Sequence, residues 1–91
     1  MFGKKRALDE FEASLRSYVQ QCNTMDVLPD FSSIVGDTEA IRKHGTGEVI
    51  ALYEAAIGQL RPQGEVPEHA RALLRQRSDM LRELMAQGLR K

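Results

Sequence analysis

The sequence predicts an all-α fold: a three-helix bundle in which a long antiparallel hairpin carries an N-terminal helix along its side. Three observations predict it. Leu8, Phe11, Leu15, Tyr18, Cys22 and Met25 recur with spacings 3-4-3-4-3, which holds them on one narrow seam of a helix. The segment from Val49 to Leu60 is apolar on two sides, as in a helix lying between two neighbours. A third apolar face, from Ala70 to Met85, follows after a short turn that carries prolines.

Helix 1 is expected over residues 4–25. Glu10, Glu12, Arg16, Gln20 and Gln21 make its outer face. Asn23 and Thr24 weaken its last turn, and Pro29 forbids continuation. Residues 26–36 form a connector. Val27, Leu28, Phe31, Ile34 and Val35 make it too apolar for a free linker, so it should lie against the bundle and cover one end or edge of the core. Asp30, Ser32 and Ser33 supply turn chemistry. Extended, such a connector reaches about 35 Å, so helices 1 and 2 could run parallel or antiparallel.

Helix 2 is expected over residues 37–61, with Asp37 as N-cap and Thr38, Glu39 and Ala40 in its first turn, where the helix dipole favours acids. Gly45-Thr46-Gly47 is its weak point, costing about 1–2 kcal/mol of helix propensity. The helix either breaks there, with Gly45 as C-cap and Thr46 recapping, or runs through. Running through is the expectation, because small residues admit a close neighbour. Beyond it, Ile50, Tyr53, Ile57 and Leu60 form one stripe, and Val49, Leu52 and Ala56 another. Pro62 stops the helix, and Pro67 suits the first position of helix 3, expected over residues 67–89. So short a connection makes helices 2 and 3 an antiparallel hairpin. The apolar face of helix 3 is Ala70, Leu73, Leu74, Met80, Leu81, Leu84 and Met85.

A chain of 91 residues is one small domain with a thin core, stable by about 5 kcal/mol. Apolar surface spread over three helices is more than such a monomer hides easily, so a homodimer is expected. A single cysteine excludes an intramolecular disulfide and a Cys-rich zinc site. The charged start, Met1 to Arg6, is followed by Asp9, Glu10 and Glu12 rather than by an apolar run. No signal peptide is expected, and no stretch is apolar for long enough to span a membrane. A soluble cytoplasmic protein is the expectation. The net charge of zero argues against a dedicated nucleic-acid binder. It hides an asymmetry, however. Residues 24–65 carry seven acids against three bases, and residues 66–91 six bases against three acids. These halves should attract each other within or between chains, or else the basic one serves an anionic partner.

Arg77 is the most informative single residue, because helical geometry sets it among Leu73, Leu74, Met80, Leu81 and Leu84. A guanidinium there needs a carboxylate, and Glu48 or Glu54 on helix 2 is the natural candidate. Otherwise Arg77 snorkels to the edge or marks a polar layer at a subunit interface. Arg71, Arg75 and Arg82 fall within about 40° of one another. They form a ridge that is either a solvated face or a site for phosphate or an acidic surface. No aromatic residue lies on that helix to stack a base. His44 and Glu48 share a helical face at metal-ligand spacing, but two ligands do not make a site, and His69 belongs to the far end of the hairpin. Cys22, on the seam, is expected in the core. The serines sit in no catalytic motif, and Gly45-Thr46-Gly47 lacks the strand and the Gly-Lys-Ser/Thr of a phosphate loop. No enzyme, cofactor or metal is expected.

Gly47-Glu48, the segment Leu52-Tyr53-Glu54-Ala55-Ala56, a proline-bearing turn and the run Ala70-Arg71-Ala72-Leu73-Leu74-Arg75-Gln76 together resemble something known. Residues 45–85 are similar to the second hairpin of a bacterial family of small ferritin-like proteins linked to stress responses. That family has four helices, and this chain offers three. The di-iron signature of its superfamily, Glu-x-x-His on two helices, is missing: Ile41 stands three before His44, and Val66 three before His69. The resemblance thus implies a bundle without ferroxidase chemistry, a dimer supplying the missing helix, and Glu48 and Glu54 facing the core.

These readings make the chain a non-catalytic interaction or structural protein of adaptor, chaperone-like or regulatory type. It would dock helix against helix with itself or with a helical partner. The alternatives are an anion or nucleic-acid binder using Arg71, Arg75 and Arg82, and a ferritin-like stress protein.

Overall fold

A computed structural model describes residues 6–89 of the chain; the expected first turn of helix 1, at residues 4–5, lies outside them. The fold is all-α, with four helices among the described residues: α1 (Arg6–Gln20), α2 (Asp37–His44), α3 (Thr46–Gln59) and α4 (Glu65–Leu89). The smallest dimension of the molecule is 19 Å, which is two helices thick.

Helix α1 ends in a π-turn, Gln21–Met25, closed by Asp26 in the left-handed region at φ 55°. The wider turn sets Asn23 against the end of α3. Its side chain donates to the Gln59 carbonyl and accepts the Arg61 N–H, both at 2.9 Å. A residue that weakens its own helix thereby caps another, where orphan carbonyls need partners. The connector does lie along the bundle. Ile34 is buried, Leu28 and Phe31 pack against the core, and the Val35 N–H donates to Ser14 Oγ at 3.1 Å. Val27 and Val35 stay exposed.

The expected continuous second helix is corrected by the structure: it breaks at Gly45. The backbone there takes φ 100° and ψ 153°, a conformation that side chains with a Cβ rarely adopt. The reversal has a clear consequence. On a continuous helix Asp37 and Tyr53 would stand about 24 Å apart along the axis. Here they share a hydrogen bond of 2.9 Å. Helix α2 therefore folds back along α3, with Gly45 midway between the two residues. Asp37 is the first helical residue rather than the N-cap, which is Gly36 at φ 89°.

Helices α3 and α4 form the antiparallel hairpin that the short turn demands. Arg61 lies by Arg71 at one end, and Glu54 pairs with Arg82 further along. Helix α1 runs parallel to α3: Phe11 meets Tyr53, Leu15 and Arg16 border Ala55, Ala56 and Gln59, and Asn23 reaches Arg61. The core is Phe11, Leu15, Tyr18, Val19 and Cys22 from the first segment, Ile34 and Ala40, then Val49, Ile50, Tyr53, Ala56 and Leu60, and Ala70, Leu74 and Leu81 from α4. The Phe11 ring meets Tyr53 edge-on with centroids 5.1 Å apart.

Candidate functional site

The break at Gly45 brings the first turn of α2 to α4, and a polar knot forms there. Arg77 donates from Nε (3.1 Å) and Nη2 (2.8 Å) to Asp37 Oδ2, and the Tyr53 hydroxyl donates to the same oxygen at 2.9 Å. The Asp37 and Arg77 side chains are 18% and 25% exposed, so this is a largely desolvated pair. Burial alone would raise the Asp37 pKa; the hydrogen bonds from Tyr53 and Arg77 and the guanidinium charge outweigh it and hold the carboxyl below its usual range. Burial likewise opposes the charge on Arg77, and Asp37 more than restores it. Burial, then the neighbouring carboxylate, push the Tyr53 phenol well above its usual value. All three groups are thus locked in one protonation state at neutral pH. The knot positions Arg77; it offers no base or nucleophile.

The partner expected for Arg77 is corrected by this geometry. Glu48 is exposed, and Glu54, also exposed, pairs with Arg82. Neither faces the core as the ferritin-like resemblance implied.

Beside the knot, Phe31, Leu73, Gln76, Arg77 and Met80 line an open groove of about 360 Å³ on the outer face of α4. Its apolar line continues along the helix as Met80 and Leu84, which are 43% and 55% exposed. Leu73, Met80 and Leu84 are spaced by seven and four residues, the spacing of a helix-packing seam. Here no helix among the described residues covers it.

The N-terminal seam has a different fate. Phe11, Leu15, Tyr18 and Cys22 are buried in the chain's own core, and Leu8 packs against it. Met25, past the π-turn, is 64% exposed. The Tyr18 hydroxyl is buried with no hydrogen-bond partner among the described residues. Burial, with the Cys22 and Asp30 charges, pushes its pKa up to about 12. Burial pushes the Cys22 thiol up as well, away from reactive thiolate.

The arginine ridge is divided. Arg71 donates to the Arg61 carbonyl and Arg82 pairs with Glu54, which leaves Arg75 exposed beside Asp79 and Ser78. His69 is exposed, and His44 Nε2 is shielded from solvent without a partner among the described residues. Those residues hold no cluster of three His, Cys, Asp or Glu side chains placed for a metal ion. None of their helices is long and apolar enough to cross a membrane.

The sequence signal for the knot is Asp37 itself, whose position at the start of a helix points to a capping role instead. Asn23 marks a weak last turn of its own helix in the sequence, and nothing local marks it as a cap for α3. Among known proteins, no family model matches the chain, and no curated protein or solved structure does either.

Proposed function

We propose that this chain is a non-catalytic interaction protein of adaptor or regulatory type, which works by receiving a partner's helix along the outer face of α4. One observation carries the reading: Leu73, Met80 and Leu84 form an uncovered helix-packing seam, and Phe31 walls it into a groove. A helix laid in such a groove buries apolar surface at about 25 cal/mol per Å². The rigid knot behind it keeps Arg77 from collapsing into the space. The likeness of residues 45–85 to a ferritin-like hairpin adds a bundle shape to this reading and no metal chemistry.

A photo-crosslinking residue at Met80, compared with one at the exposed Ala51 of α3, tests the reading in cells. Docking gives adducts of defined mass from position 80 and none from position 51. Equal adducts from both positions, or none from position 80, would contradict it.

A further inference from the structure

The groove on α4 has a sign as well as a shape. With Leu73 as the reference direction, Met80 and Leu84 fall within about 20° of it on an ideal helix. Glu83 lies about 80° round, on the side facing away from the core, whereas Asp79, about 120° round, borders Arg75, Ser78 and Glu54 on the side towards α3. Both are exposed. The opposite wall is the connector, where exposed Asp30 precedes Phe31 and exposed Asp26 stands further back. The cation among the lining residues is Arg77, and Asp37 neutralises it at 2.8 Å. Arg71, Arg75 and Arg82 lie about 160–200° from Leu73, on the back of the helix. The apolar floor thus has Glu83 on one flank and Asp30, next to the Phe31 wall, on the other, with its one arginine already matched by Asp37.

From this placement we propose that the occupant of the groove is a basic amphipathic helix of another protein, with an apolar stripe flanked by lysine or arginine. This rests on the docking reading above and names the chemistry of its partner. Leu73 to Leu84 covers about 16 Å, or three helical turns, so a helix of that length or more lies along the whole line. Met80 is unbranched and deformable and can fit more than one apolar shape. A second copy of the chain fits the sign poorly. When α4 packs antiparallel on itself, each flank meets the same flank of its mate, and Glu83 would face its own counterpart. Rim charges that remain in water select among partners more than they hold them, so the selection should fade with salt.

Three fluorescent synthetic peptides of eighteen residues test this. One has a leucine stripe with lysine flanks. The second has the same stripe with glutamate flanks. The third has the lysine composition with its leucines scrambled off the stripe. In anisotropy titrations of the full chain at low salt, the striped lysine peptide should bind about ten-fold tighter than either other peptide, and its advantage over the glutamate one should shrink at about 0.5 M salt. Met80→Lys should weaken that binding at least ten-fold with unchanged circular dichroism, and Asp30→Lys with Glu83→Lys should reverse the flank preference. Equal or tighter binding of the glutamate peptide overturns the partner chemistry and leaves the docking reading standing. Equal binding of the scrambled peptide shows attraction by charge alone and overturns the groove. If no peptide binds and light scattering finds a dimer that Met80→Lys dissociates, the groove belongs to a second copy and the proposal falls. No binding by a monomer overturns both this inference and the docking reading.

Discussion

Two seams of this molecule obey the same spacing rule and meet opposite fates. Along α1, Phe11, Leu15, Tyr18 and Cys22 disappear into the core, covered by α3, by the folded-back α2, by the connector where Tyr18 meets Phe31, and by α4 at the π-turn. Along α4, Leu73 is half-buried and Met80 and Leu84 stand in solvent. Periodicity shows that a helix face is built for packing. It does not show whether the chain itself provides the cover. For α1 part of the cover comes from the reversal at Gly45, which turns what would have been the remote start of a long helix into a short helix lying beside Tyr53. Among the described residues nothing comparable reaches the outer face of α4, and that difference is what makes α4 the candidate surface.

The largest expected effect separates the two seams directly. Phe11→Ala should cost about 3–5 kcal/mol, most of the stability of a domain this small. Met80→Ala and Leu84→Ala should each change it by less than about 0.5 kcal/mol. Urea melts of the three variants measure both. If the α4 variants lose stability comparably, that seam is covered in solution after all.

Next come two tyrosines that are equally buried and differently partnered. Tyr53→Phe removes a donor from an ionised carboxylate and should cost about 1.5–3 kcal/mol. Tyr18→Phe removes a hydroxyl with no partner among the described residues and should be neutral or stabilising. The same knot gives a pH dependence. The folded pKa of Asp37 is depressed, so its contribution is complete above the unfolded value near 3.9 and is lost as pH falls through the lower folded one. Wild type should therefore be more stable than Asp37→Asn at pH 7, and their thermal melting points should converge as pH drops below about 4. A gap that persists undiminished at low pH would mean that the carboxylate charge is not what holds α2 in place.

The smallest effect concerns the glycines. A Cβ at Gly45 or Gly47 meets nothing within 4 Å, but only Gly45 has a positive φ. Gly45→Ala should cost about 1–2 kcal/mol, whereas Gly47→Ala should add about 0.5–1 kcal/mol by restraining the unfolded chain. If both stabilise, helix 2 is continuous, and the reversal that covers the α1 seam does not occur.

Much of this was legible in the sequence. The all-α class, the α1 seam and the turn around Pro62 and Pro67 follow from spacing and proline chemistry. The break at Gly45 was visible as one of two options, and propensity could not decide it. The decision lies in tertiary contacts: Ala40, Ile41 and Asp37 gain partners only when α2 folds back. The partner of Arg77 is not legible in the sequence for the same reason. Matching residues across a continuous hairpin points to Glu48 or Glu54, and only the reversal brings Asp37 within reach. The cap that Asn23 makes on α3 depends on a π-turn, which no local pattern marks. The groove on α4 was hidden because Met80 and Leu84 read as ordinary core residues until the covering helices could be counted.

The most direct test of the contrast between the seams uses the one cysteine of the chain. Cys22 is fully buried on the α1 seam. Its reaction with a thiol-specific disulfide reagent, followed across a protein dilution series in native buffer and in denaturant, reports how that seam is covered. Intramolecular cover gives native labelling about a thousandfold slower than in denaturant, as a stability near 5 kcal/mol permits, at a rate independent of protein concentration. Fast labelling in native buffer, or protection that fades on dilution, would mean that the α1 seam is open or covered by a second copy, and would contradict the assignment of α4 as the surface left for a partner.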